Sequence, residues 1–428
     1  MPIASTYLPT AAERGGALTL RLLFGLFFGF VFLRFGASAN ILDKVINYSA
    51  DGGSIVEKIH PGTYGIIAVL IAVLLTTRIE LNSWELRALR GLVLFAAVIF
   101  MLAIMMMLLG HTGSLGYLFD SYLAACASGA LLLLFPQAWR RLLATSLLIY
   151  ITVGAVVALG EFALRTRLLP YPLEEHSFRP TGLSEHPLVL GLFNAAAISF
   201  VAATGWKPAA KTAAIIVLLS GTFAAGARLA SIVASLSSLA AIALHEWPNV
   251  RSDTRIRMKA LIFIVAGLAV PAVLAILSQL GLLERFQNGL FDESAMARVN
   301  IYGLFDLVSW NEILFGADIG YIRKLALDHF DLQFIESSIV MFVFQFGLFG
   351  MVVFLLVMAR TFIVLLSGAS RFVIAGTVAF FTIAGGNNSL TTKTPIVMMI
   401  ILLIIGFHTT KSSSPAFNSR RSGRARAG

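Results

Sequence analysis

The sequence predicts an all-α fold, a polytopic integral membrane protein with about 12 transmembrane helices. Three observations predict it. Hydrophobic residues make up 58% of the 428 and charged residues only 13%, against about 25% charge in an ordinary soluble domain. Apolar runs close to the roughly 20 residues that span a bilayer recur along the whole chain. Lys and Arg collect in alternate connections, as topology determinants do.

In chain order the spans centre on 18–38, 62–77, 91–110, 116–135, 142–163, 187–204, 211–226, 228–245, 259–281, 337–359, 371–386 and 394–410. The first is long enough to stay in the membrane and lacks a small-residue cleavage site after a short apolar core, so it reads as an anchor rather than a cleaved signal. The second, seventh and eleventh are short. Residues 211–245 form one apolar run divided by Gly221, Gly226 and Arg228, read as two helices that meet near a membrane surface; a single helix there would invert everything downstream.

Loop charge favours the division. With both termini in the cytoplasm, about 20 of the 32 Lys and Arg lie inside, including Arg78, Arg87, Arg90, Arg140, Arg141, Lys207, Lys211, Arg360 and Arg371, the direction the positive-inside rule requires. On this reading Arg140 is a surface arginine. The tail 411–428 is polar, basic and disordered, with some attraction for anionic lipid. Residues 1–140 hold the N-terminal transmembrane helices and 141–410 a membrane core.

Two connections face outward and are longer than a turn requires: about 164–186 and about 282–336. Connections over about 15 residues are uncommon unless functional or disordered, and the second is too aromatic for disorder. Within it, Val299, Tyr302 and Phe305 recur at helical spacing, which predicts an amphipathic helix over 294–310 on the membrane surface, with Arg298 at headgroup level and Tyr302 and Trp310 as interfacial aromatics. The first contains SFRPTGLSEHPLVLG, residues 177–191. Ser184 is placed to cap a helix starting near Pro187, whose first amides then face outward as an anion site.

RPTGLSEHPLVLG, then SGTFAAGARLASIVASL, then ARVNIYGLFDLVSWNEILFGADIGYI, then ESSIVMFVFQFGLFG is similar in order and spacing to the O-antigen ligase and polysaccharide polymerase superfamily. The resemblance covers roughly 140–405; the first third of the chain matches only as helices. It implies an enzyme of the outer face of the bacterial inner membrane that moves a glycan from a polyprenyl diphosphate carrier to an acceptor sugar hydroxyl, without metal or cofactor. Its partners would be the lipid-linked glycan, the bilayer, and flippase or export and chain-length proteins. By that comparison Arg179 and Arg298 match the two loop arginines of the family, and Arg228 the arginine after the small-residue helix break. One position departs: where ligases carry a histidine before the G-x-x-G of the following helix, this chain has Glu336, which favours the polymerase branch over the ligase.

The chemistry fits those residue types. Release of a sugar from a lipid diphosphate develops negative charge that needs donors fixed beforehand, and the arginine fork makes paired bonds to phosphate at any relevant pH. Arg179 and Arg298 are the candidates, and Arg228, costly at the bilayer boundary unless paired, is a third. The acceptor hydroxyl must lose a proton, for which Glu336 and His186 are available. GGNNSLTTKTP marks a further outward turn, where Asn387 and Asn388 are candidates for glycan contact.

Other classes fare worse. The basic residues are spread among short loops and the tail rather than forming one face, which argues against nucleic acid. There is no G-x-x-x-x-G-K-[ST] loop for nucleotide hydrolysis and no D-x-D cluster to hold a nucleotide sugar through a metal. The single cysteine, Cys126, allows no intrachain disulfide and no cysteine metal site. A transporter or flippase for a lipid-linked saccharide remains the rival, against which stand the lack of an internal repeat and the gathering of charge at one surface; a scaffold of an export assembly is a third reading.

Overall fold

A computed structural model of the chain describes residues 11–49, 56–111, 113, 115–171, 178–245, 251, 253–261, 264, 279, 299–332 and 334–408. Among them there is no strand. Besides a one-turn helix at Ala39–Leu42 and helical residues at 253–261, the α-helices are α1 (Ala11–Gly36), α2 (Pro61–Thr76), α3 (Ser83–Leu108), α4 (Leu115–Leu133, with one π turn at Leu118–Leu123), α5 (Gln137–Leu164), α6 (Pro187–Ala203), α7 (Pro208–Ala224), α8 (Arg228–Leu244), α9 (Trp310–Phe315), α10 (Ile319–Phe330), α11 (Ser338–Leu365), α12 (Arg371–Gly385) and α13 (Ile396–Phe407). Five of these, α1, α3, α4, α5 and α11, are long and apolar enough to cross a membrane by length and composition. The shorter apolar helices are α2, α6, α7, α8, α12 and α13. The span expected at 259–281 and the site candidate Arg298 lie outside the described residues, apart from the few positions named above.

The pattern of burial explains the packing. α13 is apolar all round, and every residue from Ile396 to Phe407 is buried, as a helix without a polar face must be. It lies against α4 and α5, and around it α6 packs on α7, α8 and α12, while α1 pairs with α2 and α3 with α11. α1 turns Phe24, Phe27, Val31 and Phe35 inward and leaves Leu18, Leu22, Leu26 and Leu33 exposed. α3 likewise buries Leu92, Phe95, Ile99 and Leu102 while Val93, Phe100, Ile104 and Leu108 are bare. Such broad apolar exposure in a folded chain is compatible with helices that cross a membrane.

Side-chain bonds define the two ends of the bundle. At one, Arg140 donates to Glu85 Oε1 at 2.6 Å and to the carbonyls of Phe135 and Leu133, Trp84 stacks on His408, and His408 bonds the carbonyl of Ser367. Arg140 is therefore no surface residue. It is 5% exposed, because the α4–α5 turn leaves carbonyls that only a buried guanidinium reaches and Glu85 balances its charge. At the other end Asp120, fully buried on the π turn of α4, accepts from Tyr48 Oη, His60 N and Thr63 Oγ1. Nearby, Arg34 donates to the carbonyl of Lys393, whose ammonium donates to Tyr48 O. These bonds tie the turns after α1 and before α2, α4 and α13 together.

The second long connection is folded rather than a loop. Ile301, Leu304, Ala317, Ile319, Ile322 and Ala326 form a small core of their own with Val340, Met341 and Phe344 of α11. Where one amphipathic helix was expected over 294–310, the described part is a 3-10 helix at Ile301–Asp306, a break, and then α9 with Ser309 as its cap. Ser309 captures the Glu312 N–H and Glu312 returns to Ser309 N, a capping box that restarts the chain in a new direction. The dock for α9 is a break inside α11 at Gly347, φ 69°; a Cβ there would strike the carbonyl of Leu314, so only glycine permits the approach. Beside it Phe344 O accepts the Ala317 N–H at 2.7 Å.

Candidate active site

The division between α7 and α8 builds one wall. α7 ends at Ala224, Gly226 takes φ 62°, and α8 starts at Arg228, a reversal that glycine makes without steric cost. Arg228 thus stands in the first turn of a helix, where its charge opposes the dipole and calls for a negative partner.

Arg179 reaches the same place from the first long connection. It is 7% exposed and donates from Nε to Ala225 O at 2.9 Å, in the turn between the two helices. Its own carbonyl accepts from Arg167 Nε at 3.0 Å. Glu161, near the end of α5 and 4% exposed, holds the strand of chain around it: one oxygen accepts from Leu168 N at 2.7 Å and the other from Thr181 N and Gly182 N at 2.8 Å each. A carboxylate taking three backbone N–H groups is a strong local clamp.

The opposite wall comes from the start of α11 and the end of α12. Glu336 precedes the Ser337 cap of α11. Ser338 N donates at 3.0 Å to the carbonyl of Asn387, just beyond α12. Between the walls lies a pocket of about 90 Å³, lined by Arg179, Arg228 and Glu336 together with Leu188, Leu229, Gly386 and Asn387. Three of the five candidates read from the sequence meet there.

His186 has another task. It is the cap of α6, with Nδ1 accepting from Leu188 N at 3.1 Å; Ser184, the expected cap, sits two residues too early for a helix whose first residue is Pro187 and instead donates its N–H to Thr181 O. Burial, then the charges of Arg179 and Arg167, push the imidazole down to about 3. A neutral ring with Nδ1 engaged carries its proton on Nε2 and has no lone pair left for a substrate proton. Glu336 is accordingly the base candidate on the pocket wall.

Tyr302 and Trp310 are 60% and 76% exposed. The residues that sequence reasoning missed are Glu161 and Arg167. Glu161 had a signal, an ionisable group inside an apolar run; Arg167 had none. Among the described residues no three His, Cys, Asp or Glu side chains gather as metal ligands. No family model matches the chain, and no curated protein matches it in sequence.

Proposed function

We propose that this chain is a membrane glycosyltransferase that lengthens a glycan by transfer from a polyprenyl diphosphate carrier to an acceptor sugar hydroxyl. The observation that carries the reading is the meeting of Arg179, Arg228 and Glu336, from three distant stretches of sequence, in one small pocket at the start of α8. Two guanidiniums and the first amides of a helix suit the charge that develops on a departing diphosphate. A carboxylate on the facing wall suits removal of the acceptor proton. The motif order shared with the O-antigen ligase and polymerase superfamily supports the same chemistry, and Glu336 in place of the ligase histidine supports the polymerase branch over transfer to a lipid A core.

The bundle would cross the bacterial inner membrane about twelve times with both termini inside and the pocket facing the periplasm. In support, Arg87, Lys207, Lys211, Arg360 and Arg371 belong to the end of the bundle away from the pocket, the arrangement expected of a cytoplasmic face. Flippase and chain-length proteins would be its neighbours in that membrane.

A transporter for the same lipid-linked saccharide is the second reading, favoured by the helix breaks at Gly226 and Gly347, since transport folds use discontinuous helices. Purified protein given a lipid-linked oligosaccharide in detergent separates the two. Longer products mean an enzyme; movement of the lipid across a vesicle wall without a new bond would overturn the proposal in favour of transport.

A further inference from the structure

The wall built by α11 and α12 carries a group that the chemistry above does not use. Asn387 is 5% exposed and lines the pocket with Arg179, Arg228 and Glu336. It is fixed from two sides. Its backbone carbonyl accepts from both N and Oγ of Ser338, the residue two beyond Glu336. Its side-chain Oδ1 accepts from Ser389 N at 2.9 Å. An asparagine amide has one oxygen and an NH₂ with two donors. With the oxygen turned to Ser389, Nδ2 is the atom left over, and among the described residues no group accepts from it. Nδ2 keeps contact with solvent rather than being sealed in the core, so on the pocket wall it can donate to an occupant that brings an oxygen.

We propose that Asn387 is a substrate-binding residue that donates from Nδ2 to an uncharged oxygen, a hydroxyl or an acyl carbonyl, of the sugar in the pocket. This rests on the glycosyltransferase reading. The division of labour follows from charge: the guanidiniums suit anionic phosphate oxygens, while a neutral amide donor suits an oxygen that carries no charge. Asn387 then reads the sugar and not the carrier.

The bland alternative is that the amide only closes its turn by accepting from Ser389 N. Asn387→Asp tells them apart, because a carboxylate keeps an oxygen for that N–H but has no proton to give at neutral pH. Binding would be measured with a polyprenyl-diphosphate monosaccharide and with sugar-free polyprenyl diphosphate. Asn387→Asp and Asn387→Ala should each bind the sugar-bearing lipid about 10-fold more weakly, the worth of one hydrogen bond. Asn387→Ala should also bind the sugar-free lipid within about twofold of wild type, which shows that it is folded, while Asn387→Asp, whose new charge stands near the diphosphate site, is judged by its ratio of sugar-bearing to sugar-free affinity. Wild-type affinity of Asn387→Asp for the sugar-bearing lipid overturns the proposal, and so does equal weakening of Asn387→Ala toward both lipids, which would place the effect on the diphosphate. Chain growth by wild type with an unaffected Asp variant removes Asn387 alone; no chain growth and no preference for the sugar-bearing lipid removes the glycosyltransferase reading with it.

Discussion

Arg179 does two things with one planar group: it bonds Ala225 O and it forms part of the pocket wall. Lysine keeps the charge but not the fork, so Arg179→Lys should lower turnover about 10-fold or more at matched protein level. Arg87, exposed on α3, is the control that should accept the same change, a role that buried Arg140 cannot fill; equal tolerance at both positions would reduce Arg179 to a topology residue. Glu336 and His186 are both candidates for the base on chemical grounds, and Glu336 lines the pocket while His186 caps α6. Glu336→Gln keeps shape and loses basicity, so elongation at saturating donor should fall roughly 100-fold with donor binding little changed. His186→Asn keeps an oxygen for Leu188 N, since asparagine is a good cap, and should leave turnover within a few fold. The same substitution removes a pH dependence of stability. A histidine held near 3 against an ordinary value near 6.5 takes up protons more readily when unfolded. Stability from this group is thus full above about pH 6.5 and lost as pH falls from there toward 3, and a melting temperature measured across that window should decline less steeply in the variant.

At the scale of elements, the site depends on how connections are tied to helix ends. Glu161 joins the last turns of α5 to both sides of the Arg179 segment through three backbone N–H groups. An amide at 161 replaces one acceptor oxygen with a donor, so Glu161→Gln must abandon either Leu168 N or the Thr181 and Gly182 pair. Amide exchange at those residues should quicken about 10-fold or more while the α13 core stays protected. If exchange there is unchanged, the clamp is not what holds Arg179. The break at Gly226 was legible from a glycine between two apolar runs followed by an arginine. The break at Gly347 was not, because a glycine in a spanning helix is unremarkable until a neighbour such as α9 comes to lie against it. The expected 294–310 helix fails for a related reason: helical spacing of apolar residues says nothing of a capping serine that stops one helix and starts the next.

For the whole molecule, the two bonded ends of the bundle turn topology into a simple test. Reporters fused after Gly182 should read out on the outer face and one after Arg255 in the cytoplasm, because the pocket connections and the basic connections belong to opposite ends. A reporter after Gly182 that reads out in the cytoplasm would turn the pocket inward and remove the proposed periplasmic reaction. The count of about twelve crossings rests on the same experiment, since the length and composition of the helices by themselves support five.

Composition and hydrophobic run length determined by themselves that the chain is all-helical among the described residues, with helices apolar enough to cross a membrane, and where most of those helices begin and end, because in lipid each backbone polar group must be satisfied within its own segment. The resemblance of four motifs to the O-antigen ligase and polymerase superfamily, not composition, singled out Arg179, Arg298, Arg228, Glu336 and His186 as candidates. Only the tertiary structure decided that Arg179, Arg228 and Glu336 share a pocket, that His186 is a cap, that Arg140 is buried in an ion pair, and that Glu161 and Asn387 hold the walls in place. The reason is physical: hydropathy is a property of single segments, whereas a site is made by side chains and backbone groups hundreds of residues apart, whose meeting is fixed by helix packing and by hydrogen bonds that leave no periodic trace in the chain.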